Sequence, residues 1–187
     1  GLSILIDAGP DFRAQMLRSK VTHLDCILLT HNHKDNTGGI DDVRSFNLLE
    51  SKPINIWCQD YVKESLKREY AYAFPVDGKL YPGAPEIHVN RIGGGVGDEN
   101  GAKPFFVRSN KCEETLVWES GFGYRHLPPA PLEDCPPVEI IPIQAWHHKE
   151  KKLSVLGYRF GKIAYITDIN LIAQQSIDLL KGLDGVT

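Results

Sequence analysis

The chain has 187 residues, 42% of them apolar and 24% charged, with a net charge of −3 and a pI of about 6.2. That is one good-sized domain with a real core, residues 1–187. There is no basic excess to grip a phosphate backbone, so nucleic acid is not an expected partner. No apolar run is long enough to span a bilayer, and Gly1 leads directly into a strand-like segment, so no membrane partner and no signal peptide are expected.

The segment LSILID (2–7) predicts a strand ending at a Gly-Pro turn, and Asp11 is placed to cap a helix over DFRAQMLRSK. CILLT (26–30) predicts a buried strand; its lack of alternation means both faces are covered, as in an α/β sandwich. A histidine-rich loop follows, then a short helix from about Ile40 to Asn47. INIWC (54–58) is a strand, and Val62, Leu66 and Tyr70, four apart, make the apolar stripe of a helix. EIHVNRI (86–92) and VEIIPIQAW (138–146) are strands, LSVLGYRF and KIAYITD form a hairpin turning at Gly161, and Ile172–Lys181 is a last helix. The class is α/β with a mixed sheet.

Residues 93–137 break this rhythm. RIGGGVGDENG and GFGYRHLPPAPLEDCPP read as loops flanking a hairpin strand, ETLVWES (114–120). The glycine cluster lacks the Gly-Lys-Ser/Thr ending of a phosphate loop. A surface insertion is the expectation, with a lid carrying Tyr124, Arg125 and His126 as the alternative. Cys26 and Cys58 read as small core residues; Cys112 and Cys135 are able to pair, but free thiols in the cytoplasm are the expectation.

Candidate ligands fall where strands end. His31 and His33, two apart just past CILLT, project the same way, Asp35 turns the chain back toward them, and Gly38-Gly39 permits a tight exit. His147 and His148 follow VEIIPIQAW, and Asp168 closes KIAYITD. Imidazole suits zinc or manganese, and a nearby carboxylate suits a second, harder ion. Taken singly, each group also fits a solvated loop or a helix cap.

IDAGPDF, THNHKDNTGG, the strand-end histidine and YITD, in this order, resemble the metallo-β-lactamase superfamily. GGIDDVRSF, the helix leading to AYAF, YPGAPEI and LGYRF are most similar to its phosphoribosyl cyclic phosphodiesterase branch. The resemblance covers most of 1–92 and 138–187 and implies a four-layer αβ/βα sandwich with a dinuclear site at one edge. It implies His31, His33 and His147 as ligands of a first metal, with His148 in reserve. Asp35 would bind a second metal and orient the nucleophile, Asp168 would bridge, and Asp7 would orient the histidine loop. The expected cofactor is zinc, one or two ions, with manganese as the alternative. Asn36 stands where the family has a histidine ligand. The family's first strand, last strand and final histidine have no counterpart in this chain, nor has the insertion a counterpart in the family.

The implied activity is hydrolysis of a small cyclic or nucleotide-like phosphodiester through a metal-bound hydroxide, with Lys34 and Arg44 as candidate phosphate contacts. A small-molecule phosphodiester is the expected partner, and a homodimer is left open. The rival readings are another hydrolase of the same fold, an RNA-processing enzyme included, and a catalytically weak binding module, which Asn36 favours.

Overall fold

The computed structural model describes every residue except 77–78, 94–100, 113–114, 120–122, 128–130 and 149–152; for 112, 115–119, 123–127 and 132 it describes the backbone alone. The first half forms a four-stranded parallel sheet in the order β1 (Ile4–Ile6), β2 (Cys26–Leu28), β3 (Ile54–Cys58) and β4 (Ile87–Arg91). Helices α1 (Phe12–Arg18), α2 (Lys34–Thr37), α3 (Arg44–Glu50) and α4 (Asp60–Glu69) belong to the same half. The second half holds β5 (Phe105–Val107), a separate hairpin of β6 (Thr115–Glu119) and β7 (Gly123–Leu127), then β8 (Val138–Trp146), β9 (Ser154–Phe160), β10 (Ile163–Tyr165), β11 (Leu171–Ile172), α5 (Gln174–Ile177) and β12 (Gly185–Val186). Strands β11, β8, β9, β10 and β12 lie in that order in one sheet, and β5 pairs with the start of β8.

Alternate residues of the first sheet explain the layering. Ile27, Leu29, Ile54, Ile56 and Cys58 pack with Phe12, Phe46, Val62, Leu66 and Tyr70 of the helices. Cys26, Leu28 and Trp57 point the other way and meet Val138, Ile140, Leu156 and Tyr158 of the second sheet. CILLT has no polar face because it sits between a helix layer and a second sheet. Each large side chain so buried stabilises the fold by roughly 1.5–3 kcal/mol. With α5 against β8, this is a mixed α/β sandwich, the class of fold that the resemblance implies.

Three local expectations change. Asp11 occupies the cap position of α1 but makes no side-chain capping bond. The stretch Ile172–Lys181 is not one helix: Leu171–Ile172 add to the edge of β8, and only Gln174–Ile177 is α-helical before a 3-10 turn. Cys135 is disulfide-bonded rather than a free thiol, whereas Cys26 and Cys58 are free and buried as expected.

β5 and the residues just after it are anchored far from the histidine end of the sheets. β5 pairs with Val138–Ile140, at the opposite end of β8 from Trp146. Ser109 and Asn110 hold Asp25, which precedes β2. The side chains of Tyr124, Arg125 and His126, on which a lid would depend, lie outside those described.

Asp25 is a buried anchor, accepting bonds from Ser3 N (2.7 Å), Ser109 Oγ (2.7 Å) and Asn110 N (2.9 Å), with His23 Nε2 at 3.0 Å. Burial pushes its carboxyl up, but these bonds and His23 outweigh it and hold the group below its ordinary 3.8. A carboxylate depressed on folding stabilises the fold above the unfolded value, and that contribution fades as pH falls through the folded one. Asp25→Asn should therefore lower the urea midpoint at neutral pH, and the gap to wild type should narrow below pH 3.8. A gap that widens in acid would contradict the assignment.

Candidate metal centre

β2 and β8 end side by side at one edge of the sandwich, and each delivers histidine there. His31 and His33 follow β2, and His147 follows β8 directly. One ring nitrogen from each lies within 4.8 Å of the others, and the ring centroids are 4.6, 5.2 and 5.7 Å apart. His148 is exposed, stacks at 4.7 Å on His147, and is not part of the group.

The loop is held by close backbone packing. Ala8 N donates to Asn36 O (2.7 Å) and Gly39 N to Ala8 O (2.8 Å). A Cβ on Gly9 would lie 2.3 Å from Asp35 O, and one on Gly39 would lie 2.2 Å from Gly9 O. These glycines are needed for space between the first strand's exit and the histidine loop, which brings Asp7 under Thr30. Thr30 N (2.8 Å) and Thr30 Oγ1 (2.9 Å) both donate to the Asp7 carboxylate. Having given its proton to Asp7, the Thr30 hydroxyl can only accept from His31 Nδ1, 2.9 Å away. That fixes the tautomer and leaves the Nε2 lone pair for a ligand, as an acid behind a metal-binding histidine does. The resemblance supplied Asp7; Thr30 went unnoticed. Its place immediately before His31 was the available signal, but its bonds depend on β1 lying beside β2.

The residues fit a divalent cation. His31 Nε2 and His33 Nδ1 are 3.1 Å apart; two nitrogens on one tetrahedral zinc at 2.0–2.1 Å would be about 3.3 Å apart. Among the described residues His147 Nδ1 is buried with no hydrogen-bond partner. Burial, then His33, lowers His31 to about 4, although Asp168 and Asp35 pull it upward, so its imidazole is neutral at neutral pH. Burial raises Asp7 to about 7 against its Thr30 bonds, with Asp168 and Asp35 adding to the rise. This surplus of acid is what a bound cation offsets.

The acids are looser than the histidines. Asp35 and Asp168 are exposed and outside the three-histidine group, though the charge of each is felt by His31 and Asp7. Asp7 and Asp168 share a left-handed backbone, φ 58° and 54°, a conformation that Asp tolerates better than most residues. Asn36 is buried, its Nδ2 3.1 Å from His31 Nδ1 and 3.2 Å from His31 Nε2. Lys34 is committed to Glu69 at 2.7 Å rather than left open for phosphate, and Arg44 is exposed at the start of α3.

Comparison with known proteins gives the family. A family model described as a beta-lactamase superfamily domain matches residues 3–110. An octanoyltransferase of Porphyromonas gingivalis is 28% identical over 182 residues, 97% of this chain but 28% of that protein. A diphosphatase of the PhnP family superposes with a TM-score of 0.63 at 25% identity, covering 98% of this chain and 54% of that one. Zinc-bound PqqB from Methylobacterium extorquens (TM-score 0.52, 13% identity, 98% and 54% covered) and the short form of human tRNase Z (0.50, 15%, 98% and 64%) share the fold. The chain thus spans less than two thirds of each of these relatives. With its family match, its sandwich and its strand-end histidines in one place, this chain belongs to the metallo-β-lactamase superfamily, close to the PhnP-like branch.

Proposed function

We propose that this protein is a metal-dependent phosphoesterase acting on a small cyclic or nucleotide-like phosphodiester. The observation that carries the reading is the convergence of His31, His33 and His147 from two sheets onto one edge, with His147 Nδ1 buried and without a partner among the described residues. Likeness to a PhnP-family diphosphatase supports phosphorus as the centre attacked. Zinc, one ion or two, suits the imidazole set, and manganese is the alternative. A divalent ion held here supplies Lewis acidity and lowers the pKa of water toward ~7. The chain's own residues do the rest: Asp7 and Thr30 fix the His31 tautomer, and Asp35 orients the attacking water. Asp168, whose charge reaches His31, completes the negative field that retains the ion.

The contact of Asn36 with His31 favours a second reading, a metal-binding module with little turnover. Metal-stripped full-length protein, reloaded with zinc or manganese and offered bis(p-nitrophenyl) phosphate, separates the two. Chelator-sensitive turnover restored by either metal is the expected result. Full metal uptake without turnover would establish the binding module instead.

A further inference from the structure

β9 supplies no metal ligand, yet it touches the neighbour of every strand end that does. Ser154 pairs with Trp146, the residue before His147, and His147 N donates to Leu153 O at 3.0 Å. β10 covers β9 only from Tyr158 onward, and the carbonyl of Thr30, the residue before His31, takes the Leu156 amide in its place at 3.1 Å. The Tyr158 hydroxyl, fully buried, donates to Leu29 O at 2.6 Å. A Cβ on Gly157 would lie 2.9 Å from both Tyr165 O and Ile166 Cγ1, so the bare glycine lets the chain toward Asp168 cross close by. Ser154 closes the arrangement from inside: its Oγ donates to Gln59 Oε1 (2.8 Å) and accepts from Gln144 Nε2 (2.7 Å), and its carbonyl accepts from Tyr61.

We propose that Ser154–Tyr158 is the gauge of the metal centre, setting the distance between the histidines of the first sheet and His147 of the second, with Tyr158 and Ser154 as positioning residues. This rests on the metal-centre reading. The physical reason is mismatch of tolerance. Apolar faces of two sheets slide by fractions of an ångström at little free-energy cost, whereas nitrogen–zinc bonds hold to about 2.0–2.1 Å. Directional hydrogen bonds between the layers fix the spacing that packing leaves soft, and burial keeps water from replacing them. The bonds run to backbone carbonyls one and two residues before His31, so a shift of β9 is passed to the ligand with little slack.

The test is cobalt(II) binding to metal-stripped full-length protein, read as dissociation constant and d–d absorption spectrum, for wild type, Tyr158→Phe, Ser154→Ala and Ile54→Val. Ile54 sits in the helix-side core at the start of β3, so it is the control for simple loss of stability. Tyr158→Phe and Ser154→Ala should each weaken cobalt binding about tenfold or more, the range seen for partners of metal ligands, and shift the absorption bands. Ile54→Val should leave both unchanged. Circular dichroism identifies any variant that fails to fold, and either positioning variant alone suffices. Wild-type affinity and spectrum in a folded Tyr158→Phe or Ser154→Ala protein overturns the gauge. A wild-type protein that takes up no cobalt overturns the metal-centre reading, and the gauge with it.

Discussion

Replacing His33 by alanine is expected to weaken zinc binding by at least about 100-fold while leaving the fold intact. His33 is exposed and caps nothing through its side chain, so its loss should change stability by no more than about 0.5 kcal/mol. Its Nδ1 is nonetheless 3.1 Å from His31 Nε2, the spacing of two nitrogens sharing one ion. Changing mere partners of ligands already weakens metal affinity 10–100-fold, which sets the lower bound for losing a ligand outright. His31→Ala is a poorer test, because His31 is buried and its removal also opens a gap in the core and takes a partner from Thr30 Oγ1. Zinc content after dialysis and a chelator-competition dissociation constant give the readout. Near-wild-type affinity in His33→Ala would remove His33 from the site.

Asn36→His is expected to raise both metal content, toward a second equivalent, and phosphodiesterase turnover, by about 10–100-fold. An amide oxygen is a neutral, weak ligand for a transition metal, and an amide nitrogen is a donor only. In this structure Asn36 Nδ2 lies almost equidistant from His31 Nδ1 (3.1 Å) and Nε2 (3.2 Å), against the imidazole, and it brings a donor where a metal needs a lone pair. Histidine at 36 would replace that donor with a ring nitrogen beside Asp35. The backbone there is already fixed, with Asn36 O bound by Ala8 N and Asn36 N donating to His33 O, so a new side chain starts from the same place. The added bulk at a buried position is expected to lower stability by about 1–3 kcal/mol, so turnover is compared below the thermal transition. A site already holding two equivalents with Asn36, and no faster with histidine, would show that Asn36 is a competent ligand or a bystander.

Much of this was legible in the sequence where one-dimensional pattern and three-dimensional role coincide. CILLT, INIWC and VEIIPIQAW are mostly apolar because they lie between layers, and they form β2, β3 and β8. His31, His33 and His147 meet because each follows a strand and the strand ends share one edge. Legibility failed where partners decide. Ile172–Lys181 looks helical in isolation, but the edge of β8 at Ala145 and Trp146 is joined by Leu171–Ile172, and Ser176 turns back to accept from Gln144 N. β5 and β7 are short and lie in glycine- and proline-rich surroundings, so only their partners β8 and β6 define them. The Asp7–Thr30–His31 relay and the bonds of Ser154 and Tyr158 cross long sequence separations, and no local spacing encodes them. Among the described residues no helix is long and apolar enough to cross a membrane, in line with the short apolar runs.

The most direct measurement is an anomalous difference map, collected on both sides of the zinc edge, from crystals of the full-length protein grown with zinc. A peak about 2.0–2.2 Å from one ring nitrogen each of His31, His33 and His147 is the expected result. Zinc bound elsewhere, or bound with His148 turned in and His147 turned out, would contradict the centre described here.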